Sequence, residues 1–304
     1  MAVIAERRLT SFMEADVPKD SLSVAAVQMG PSETGQLETR DRIVRLIKEA
    51  ARGGAELICF PELALTPYFP ARPPTDQADC GACDLADPVL IPVRRAIRTA
   101  GAWVVLPLAE RKRRKIYNSA VLFDPTGEVR QVYRKTHLPP GFEADDGVWS
   151  THERLYFSAG DKIGLVADVG GFKCGMLICY DRFFPEAARI AALSGADFIC
   201  LPSNNRAYGA SWARHGWELL IRARAYENGV YVVAPDKAGV EFGQSFLGDS
   251  VIAGPVGGRV LARARTEGDE VILGRMTRAD LESARHRSNS IRDRRPALYK
   301  ELTS

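Results

Sequence analysis

Residues 54–62 read GAELICFPE, and residues 195–203 read GADFICLPS. Each copy follows a helical pattern of apolar residues and contains a short apolar run typical of a buried strand. Two similar helix–strand units in one chain suggest a core built from two related sheets. Glu62 ends the first copy, whereas Ser203 stands at the equivalent position of the second. This difference indicates that the first half carries a chemical group that the second half lacks.

Short apolar runs and amphipathic segments alternate along the rest of the chain. Two sets of apolar residues recur at helical spacing, and each predicts one apolar stripe on a helix: Ile43, Leu46, Ile47, Ala50 and Ala51, and Phe184, Ala187, Ala188, Ala191 and Ala192. The runs that predict strands are residues 22–29, 56–60, 103–108, 118–123, 174–178, 197–201, 230–234, 250–253 and 271–273. This alternation predicts an α/β fold with helices packed on a sheet.

The two halves are not separated by a linker. No Ser/Gly-rich or Pro-rich tract lies between them, although residues 67–87 form a long irregular loop. We therefore predict a single domain over residues 21–304, preceded by an N-terminal extension of residues 1–20.

The composition is that of an ordinary globular protein. Of 304 residues, 46% are hydrophobic and 26% charged, which excludes disordered and fibrous classes. The formal net charge of +3 is too small to imply a nucleic-acid or membrane partner. The first 20 residues lack the apolar run of a secretory signal, and nowhere do 18 apolar residues follow one another. Six cysteines fit a reducing compartment, so we expect a cytoplasmic protein.

One dense run of charge, RKRRK at residues 111–115, falls between two predicted strands. We interpret it as the solvated tip of a hairpin, because proteins that bind nucleic acids usually spread their basic residues over a face. A polyanion-binding module that uses this run is an alternative hypothesis for the function.

Cofactor and metal motifs are missing from the sequence. It contains no G-x-S-x-G, no P-loop, no G-x-G-x-x-G and no H-E-x-x-H. Cys80 and Cys83 have the spacing of half a zinc site, but no second pair or nearby histidine completes it. We therefore predict neither a cofactor nor a metal.

Cys179 is the best candidate for a nucleophile. It follows the predicted strand 174–178 and precedes a predicted helix that begins near Pro185. Ligands bind at such strand ends in α/β sheets, and we expect the helix dipole to favour the thiolate. Free cysteine has a pKa of about 8.5, so a base is still needed. A cysteine that is merely buried, as expected for Cys59 and Cys200, is the alternative.

Glu62 and Lys135 supply the other groups that a cysteine nucleophile needs. Glu62 follows a predicted strand and stands among apolar residues, where desolvation suits a group that takes and returns a proton. Lys135 can stabilise a tetrahedral oxyanion with its charge. Taken alone, however, it also fits an ordinary surface lysine.

Together these segments resemble the carbon–nitrogen hydrolase (nitrilase) superfamily. FPE at residues 60–62, YRKTHL at 133–138 and ICYD at 178–181 are similar to its three catalytic motifs, and the resemblance extends from Leu22 to Tyr299. It implies a four-layer αββα sandwich of two stacked mixed sheets with outer helices. It also implies dimerisation through the helical layers and a Glu–Lys–Cys triad without a metal or cofactor.

The resemblance also implies roles for individual residues. Glu62 would be the general base and then the acid, Cys179 the nucleophile, and Lys135 an oxyanion donor beside the backbone N–H of Tyr180. Glu153 matches a second glutamate that many members place near the lysine and the nucleophile. An exposed loop carboxylate is the alternative for Glu153.

The subfamily is indicated by the residues around these motifs. Tyr180 and Asp181 resemble the amidase and carbamoylase branches, whereas nitrilases typically have Trp-Glu there. Residues 60–70 and 292–299 resemble N-carbamoyl amino-acid and β-ureidopropionate amidohydrolases.

One departure concerns the substrate carboxylate. N-carbamoyl-D-amino-acid hydrolases have two adjacent arginines after the Cys-x-Asp, but here Arg182 is followed by Phe183. Arg206, after Asn204 and Asn205, is a candidate to replace the missing arginine. If neither arginine faces the pocket, the aromatic candidates Tyr68, Phe69, Phe183 and Phe184 favour an uncharged or aromatic amide.

We therefore predict a cysteine amidohydrolase that cleaves a small linear substrate through a thioester-type intermediate. An N-carbamoyl amine or amino acid, giving an amine, carbon dioxide and ammonia, is the preferred substrate class. An amidase on simple aliphatic or aromatic amides is the main alternative, and a nitrilase is less favoured. A binding or scaffold protein that has lost activity is a further alternative. We expect at least a homodimer, with no nucleic-acid or membrane partner.

Overall fold

The computed structural model describes residues 19–32, 35–74, 80–141, 151–207, 210–288 and 290–303. The predicted N-terminal extension lies outside the described residues except for Lys19 and Asp20. Both are attached to the domain, because the Lys19 ammonium pairs with Glu56 and the Asp20 carbonyl accepts a hydrogen bond from Arg278. The first strand begins at Ser21.

The described chain contains the following helices and strands. The strands are Ser21–Gln28 (β1), Leu57–Cys59 (β2), Trp103–Lys112 (β3), Lys115–Phe123 (β4), Val129–Arg134 (β5), Val166–Val169 (β6), Phe172–Met176 (β7), Phe198–Cys200 (β8), Tyr231–Ala234 (β9), Ala238–Glu241 (β10), Gln244–Leu247 (β11), Val251–Ala253 (β12), Val260–Arg263 (β13) and Glu270–Thr277 (β14). The helices are Gln36–Arg52 (α1), Ile91–Ala100 (α2), Glu153–Tyr156 (α3), Pro185–Leu193 (α4), Ala210–Asn228 (α5) and Arg278–Arg287 (α6).

Within the described ranges, the strands form two six-stranded sheets of the same topology and a separate β10–β11 hairpin. The sheet orders are β14-β1-β2-β3-β4-β5 and β6-β7-β8-β9-β12-β13. In each sheet three parallel strands are flanked by antiparallel ones. The strands of the two similar segments, β2 and β8, take the same place in the two sheets. This agrees with the duplication that the sequence suggested.

Alternate residues of β1 show how the layers stack. Val24 and Ala26 face a core shared with the second sheet, while Ala25 and Val27 face a core shared with α1 and α2. Such a period of two places successive side chains on opposite faces of a strand. The other face of the second sheet is covered by α4 and α5. The predicted four-layer αββα sandwich of two mixed sheets with outer helices is therefore confirmed.

Both predicted helical stripes lie on observed helices. In α1 the predicted residues except the half-buried Ala51 are buried against the first sheet, and in α4 Ala187, Ala188 and Ala191 are buried against the second. Pro185 occupies the first position of α4, where its missing N–H leaves no hydrogen bond unmade.

Several strands were missed because they lack a continuous apolar run. The sequence analysis did not identify β5, β6, β10, β11 or β13, which are four to six residues long and only partly buried. Short strands with mixed burial do not give the pattern from which a strand is predicted.

The basic run at residues 111–115 forms the tip between β3 and β4, and residues 112–115 are exposed, as predicted.

In the described part of the chain, no helix combines the length and apolar character needed to cross a membrane. Large apolar side chains are exposed on the outer helices, namely Ile190, Leu193, Leu219 and Tyr226. Dimerisation through these layers stays a prediction.

Gly160 supports the end of β5 and offers a test of this packing. Its N–H donates to the Lys135 carbonyl at 2.8 Å, and an added Cβ would lie 2.2 Å from the Arg134 carbonyl oxygen. We expect Gly160→Ala to lower the free energy of unfolding by about 1–3 kcal/mol, because the backbone must shift to admit the methyl group. Denaturant unfolding measures the change. Gly268→Ala is the control, since nothing lies within 4 Å of its added Cβ, and an equal loss in both variants would contradict the prediction.

Candidate active site

The predicted catalytic residues follow the carboxyl ends of strands. Glu62 lies three residues beyond β2, Cys179 lies three residues beyond β7, and Lys135 directly follows β5. Both β2 and β7 belong to the parallel part of their sheets. The carboxyl ends of parallel strands are where α/β sheets place their ligand sites.

The turns after β2 and β7 have an uncommon backbone conformation. Leu63 and Cys179 have φ angles of 48° and 45°, in the left-handed region that residues with a Cβ rarely adopt. Hydrogen bonds to neighbouring chain segments hold both turns, since Ala64 N–H donates to Pro107 and Cys179 N–H to Pro202, each at 2.9 Å. Such conformations cost about 1–3 kcal/mol and persist where surrounding structure enforces them, often at active sites.

Lys135 lies between two buried carboxylates. Its Nζ is 2.7 Å from Glu62 Oε1 and 2.9 and 2.8 Å from the two carboxylate oxygens of Glu153. All three side chains are almost completely buried. Burial alone would lower the pKa of Lys135, but the charges of Glu153 and Glu62 outweigh it and hold this pKa above its usual value. The ammonium group is therefore firmly protonated.

Burial has the opposite consequence for the second glutamate. It raises the pKa of the Glu153 carboxyl, and the neighbouring charge of Lys135 opposes the increase. Glu153 is thus buried and paired. The alternative interpretation, in which Glu153 is an exposed carboxylate on a loop, is therefore wrong.

Two asparagines hold Glu62 in place. Asn118 Nδ2 donates to Glu62 Oε1 at 2.6 Å, and the Asn204 backbone N–H donates to Glu62 Oε2 at 3.0 Å. Asn204 Nδ2 also donates to the Glu62 carbonyl oxygen at 2.8 Å. Within the described structure, the buried Oδ1 atom of Asn204 has no hydrogen-bond partner. Glu62 is therefore fixed by both halves of the chain, and a buried acceptor is left beside it.

Tyr68 connects the first half of the chain to Glu153. Its hydroxyl donates to Glu153 Oε1 at 3.0 Å and lies 3.0 Å from Thr151 Oγ1. The Thr151 hydroxyl in turn accepts the Glu153 N–H at 3.2 Å. Sequence reasoning predicted Tyr68 as a substrate contact, whereas these hydrogen bonds show that its hydroxyl also orients the second glutamate.

Cys179 is buried among these charges. Arg182 Nη1 donates to its Sγ at 3.5 Å. Burial raises the pKa of the Cys179 thiol to about 12, the charges of Glu62 and Glu153 add to the increase, and those of Lys135 and Arg182 oppose it. The prediction that a helix dipole favours the thiolate form of Cys179 is therefore wrong. The helix dipole is a weaker influence here than burial and two nearby carboxylates.

Asp181 joins the loop that carries Lys135 to the loop that carries Cys179. It is fully buried and accepts hydrogen bonds from the Tyr133 hydroxyl at 2.7 Å and from the His137 N–H at 3.1 Å. It also accepts the Ile178 N–H at 2.9 Å. The sequence analysis used Asp181 as part of the third motif and to assign the subfamily, but not to join these two loops. Its position two residues after the predicted nucleophile was the available signal for this role.

A cavity of about 320 Å³ opens above Cys179. Nine of the predicted site residues line it: Tyr68, Glu153, Cys179, Tyr180, Arg182, Phe183, Asn204, Asn205 and Arg206. Thr151, Trp217 and Leu247 also line it and were not predicted. A larger cavity of about 480 Å³ between Asn228 and the segment around His286 contains none of the predicted residues. We therefore identify the candidate site by the residues that line the cavity and not by the volume of the cavity.

Two predicted aromatic contacts lie elsewhere. Phe69 is not part of the cavity lining and packs on Tyr156 and Phe157, with ring centroids 4.9 and 5.7 Å apart. Phe184 stacks on His137 at 3.7 Å. Neither ring is part of the cavity lining, so the prediction that they contact the substrate is not supported by their positions.

The two cysteines with the spacing of half a zinc site are buried and do not line the cavity. Cys80 and Cys83 are about 95% buried, and burial raises the pKa of the Cys83 thiol to about 12. Among the residues that the structure describes, no three His, Cys, Asp or Glu side chains are grouped to hold a metal ion.

Comparison with known proteins gives relatives over nearly the whole chain. The family model described as Carbon-nitrogen hydrolase matches residues 23–286. A protein named nitrilase from Pyrococcus abyssi is 33% identical and covers 91% of this chain and 99% of its own length. N-carbamoylputrescine amidase from Oryza sativa is 30% identical over 92% and 94% of the two chains. The crystal structure of an amidase from Nesterenkonia sp. has a TM-score of 0.77 and 25% identity, covering 93% of this chain and 97% of that one.

The raised thiol pKa predicts how Cys179 reacts with an alkylating agent. We expect the rate of labelling at Cys179, followed by peptide mass spectrometry, to rise about tenfold per pH unit from pH 7 to 10 without a plateau. Glu62→Gln removes a charge that raises this pKa, so its profile should bend at a lower pH. Lys135→Met removes a charge that lowers it, so labelling should become slower. A plateau that begins near pH 7 in the unsubstituted protein would show that the resting thiol is ionised.

Proposed function

This chain belongs to the carbon–nitrogen hydrolase family, and we propose that it hydrolyses a small N-carbamoyl amino acid through a covalent intermediate on Cys179. The observation that carries the proposal is the shared cavity of Cys179 with Arg182 and Arg206. Members with amidase names, together with the family match, make it an enzyme that acts on amides. The products of the proposed reaction are an amino acid, carbon dioxide and ammonia.

The first half of the reaction forms the bond between Cys179 and the carbonyl carbon. Because the resting thiol is neutral, Glu62 takes the thiol proton as Sγ attacks. The oxygen of the tetrahedral intermediate becomes negative and is stabilised by the Lys135 ammonium and the Tyr180 backbone N–H. Glu62 then returns the proton to the leaving nitrogen, and ammonia departs as the carbon–nitrogen bond breaks.

The second half releases the product from the enzyme. Glu62 takes a proton from a water molecule, which attacks the thioester-type carbonyl, and the same groups stabilise the new oxyanion. The carbon–sulfur bond breaks, and Sγ regains its proton. The carbamic acid that leaves decomposes to carbon dioxide and the free amino group.

The ion pairs around Lys135 suit this role. Two carboxylates keep the ammonium charged and fixed, so it needs no rearrangement when the oxyanion forms. Glu153, which accepts a hydrogen bond from the Tyr68 hydroxyl, holds the ammonium through both of its carboxylate oxygens.

The charge of the cavity favours an anionic substrate. Two arginines, Arg182 and Arg206, line it, whereas Glu153 is the acidic side chain among its described lining residues. A carboxylate that enters a closed pocket needs a charge-assisted partner such as arginine. An N-carbamoyl amine with a second ammonium group, of the kind named for the rice relative, would meet like charge here. An N-carbamoyl amino acid therefore fits better.

Asn204 is suited to receive the amide group of the substrate. Its Nδ2 and backbone N–H are both used on Glu62, and its buried Oδ1 has no partner in the described structure. An unpaired buried acceptor costs about 1–3 kcal/mol, which a substrate N–H would recover. Asn204 would thus hold the leaving nitrogen beside the proton that Glu62 returns.

An amidase on simple uncharged amides is the second candidate function. The apolar lining residues Trp217, Leu247 and Phe183 favour it, and so does the likeness to the Nesterenkonia amidase. The complete Glu–Lys–Cys arrangement argues against a scaffold protein that has lost activity.

Ammonia release from a panel of compounds tests the proposed reaction. We expect the highest kcat/KM for N-carbamoyl amino acids, lower values for aliphatic and aromatic amides, and none for nitriles. Cys179→Ala should lower kcat by at least about 10³-fold because the nucleophile is lost. Glu62→Gln should lower kcat to a similar extent, because the thiol proton then has no acceptor when Sγ attacks. Cys83→Ala, outside the cavity, is the control, and full turnover by Cys179→Ala would disprove the mechanism.

Arg206→Gln tests the substrate carboxylate. We expect its KM for N-carbamoyl amino acids to rise at least tenfold, because a charge-assisted contact is worth about 1.5–3 kcal/mol. The KM for uncharged amides should change less than about threefold. Arg113→Gln, on the exposed hairpin tip, is the matched control and should change neither value. An equal rise in KM for charged and uncharged substrates would show that Arg206 does not bind the carboxylate.

A further inference from the structure

Two buried carboxylates in residues 236–247 take no part in the proposed reaction. Asp236 comes two residues after β9, and Glu241 ends β10. Neither side chain is exposed. Both contact segments that line the cavity, and we call residues 236–247 the clamp segment.

Glu241 holds the backbone at Tyr68. Its Oε2 accepts the Tyr68 N–H at 2.8 Å, and its Oε1 accepts the Ser32 N–H at 2.5 Å. Lys237 Nζ lies 2.7 and 2.8 Å from the two oxygens and neutralises the buried charge. Phe246, on the neighbouring strand β11, meets the Tyr68 ring edge to face at 5.6 Å. The clamp segment therefore contacts both the backbone and the ring of Tyr68.

Tyr68 connects Glu241 to Glu153 and Lys135. Its N–H is fixed by Glu241, while its hydroxyl donates to Glu153, which holds Lys135 through both oxygens. A continuous series of hydrogen bonds thus runs from Glu241 through Tyr68 and Glu153 to the Lys135 ammonium. All members of the series are buried.

Only a carboxylate satisfies this position. Both oxygens of Glu241 face donors, namely two backbone N–H groups and an ammonium. A glutamine accepts through one oxygen and presents an NH₂ group on the other side. Glu241→Gln would therefore set a donor against a donor and displace either the Tyr68 or the Ser32 segment.

We propose that Glu241 is a positioning residue that acts through Tyr68 on Glu153 and Lys135. This inference rests on the proposed function, because it assigns a task to Lys135 in the transition state. Lys135 stabilises the oxyanion most strongly in the transition state, so a loss of its alignment lowers kcat more than it raises KM.

Asp236 provides a matched control within the same segment. Its Oδ1 accepts hydrogen bonds from the backbone N–H groups of Asn205 and Lys237, both at 2.9 Å. Its Oδ2 accepts a hydrogen bond from Asn205 Nδ2 at 2.8 Å. Asp236→Asn is the same isosteric change at another fully buried carboxylate, but none of these contacts involves Tyr68. Burial raises the pKa of Asp236 to about 7, while the Asn205 bonds and the Arg182 charge oppose the increase. Assays at pH 8.5 keep it ionised.

A double-mutant cycle separates positioning from general damage to the fold. In the otherwise unchanged protein we expect Glu241→Gln to lower kcat at least tenfold and to change KM less than threefold. In a Tyr68→Phe background, which has no hydroxyl to donate to Glu153, the same change should lower kcat less than threefold. Asp236→Asn should have the same effect in both backgrounds, because it does not act through Tyr68.

The outcomes distinguish this inference from the proposed function. If Glu241→Gln lowers kcat equally with and without the Tyr68 hydroxyl, or raises KM as much as it lowers kcat, the positioning role is wrong. If the unsubstituted protein hydrolyses no N-carbamoyl compound or amide, the proposed function fails before any variant is compared. Thermal unfolding confirms that each variant folds. Should Glu241→Gln not fold, Glu241→Gln combined with Lys237→Met, which removes the unpaired ammonium, is assayed instead and should show the same non-additivity.

Discussion

The site depends on one interaction, the burial of the Lys135 ammonium between Glu62 and Glu153. Ions removed from water are costly unless they are paired and hydrogen-bonded, so each of the three groups requires the others. Two carboxylates against one ammonium leave an excess of negative charge beside Cys179. That excess keeps the lysine protonated, and together with the burial of Cys179 it keeps the thiol neutral. In the proposed reaction Glu62 must therefore accept the thiol proton before the sulfur attacks, and hydrogen bonds from Asn118 and Asn204 hold its carboxylate in place.

The duplicated architecture explains how distant segments reach this point. Each half supplies three parallel strands with the same topology, and β2 and β8 occupy equivalent places in them. Beyond these strands the two copies diverge: the first continues into Glu62 and the second into Asn204, and the two residues bond to each other. The antiparallel strand β5 adds Lys135 from the edge of the first sheet. Neither half contains all residues of the proposed site, which combines side chains that follow strands of both sheets.

Much of this could be predicted from the sequence because strand ends and motifs are local signals. The α/β class followed from apolar periodicity, whereas the four-layer sandwich and the roles of Glu62, Lys135 and Cys179 followed from the resemblance of three short motifs to the family. Residues whose role depends on partners far along the chain were missed. Asn118, Glu241 and the full role of Asp181 became visible only through their contacts, since a buried polar residue and an exposed one look alike in a sequence. Phe69 and Phe184 show the same limit, because adjacent aromatics turn toward different sides. The state of the thiol was predicted wrongly because burial and the charges of Glu62 and Glu153 outweigh the dipole of the helix that follows.

A neutral resting sulfur also bears on how the protein tolerates oxidants. Peroxide reacts with the ionised form of cysteine, and sensor cysteines are both acidic and accessible. Cys179 lines an open cavity but is not acidic, since its pKa lies near 12. Little of its sulfur is therefore ionised near neutral pH, so we expect sulfenic acid to form on it only slowly.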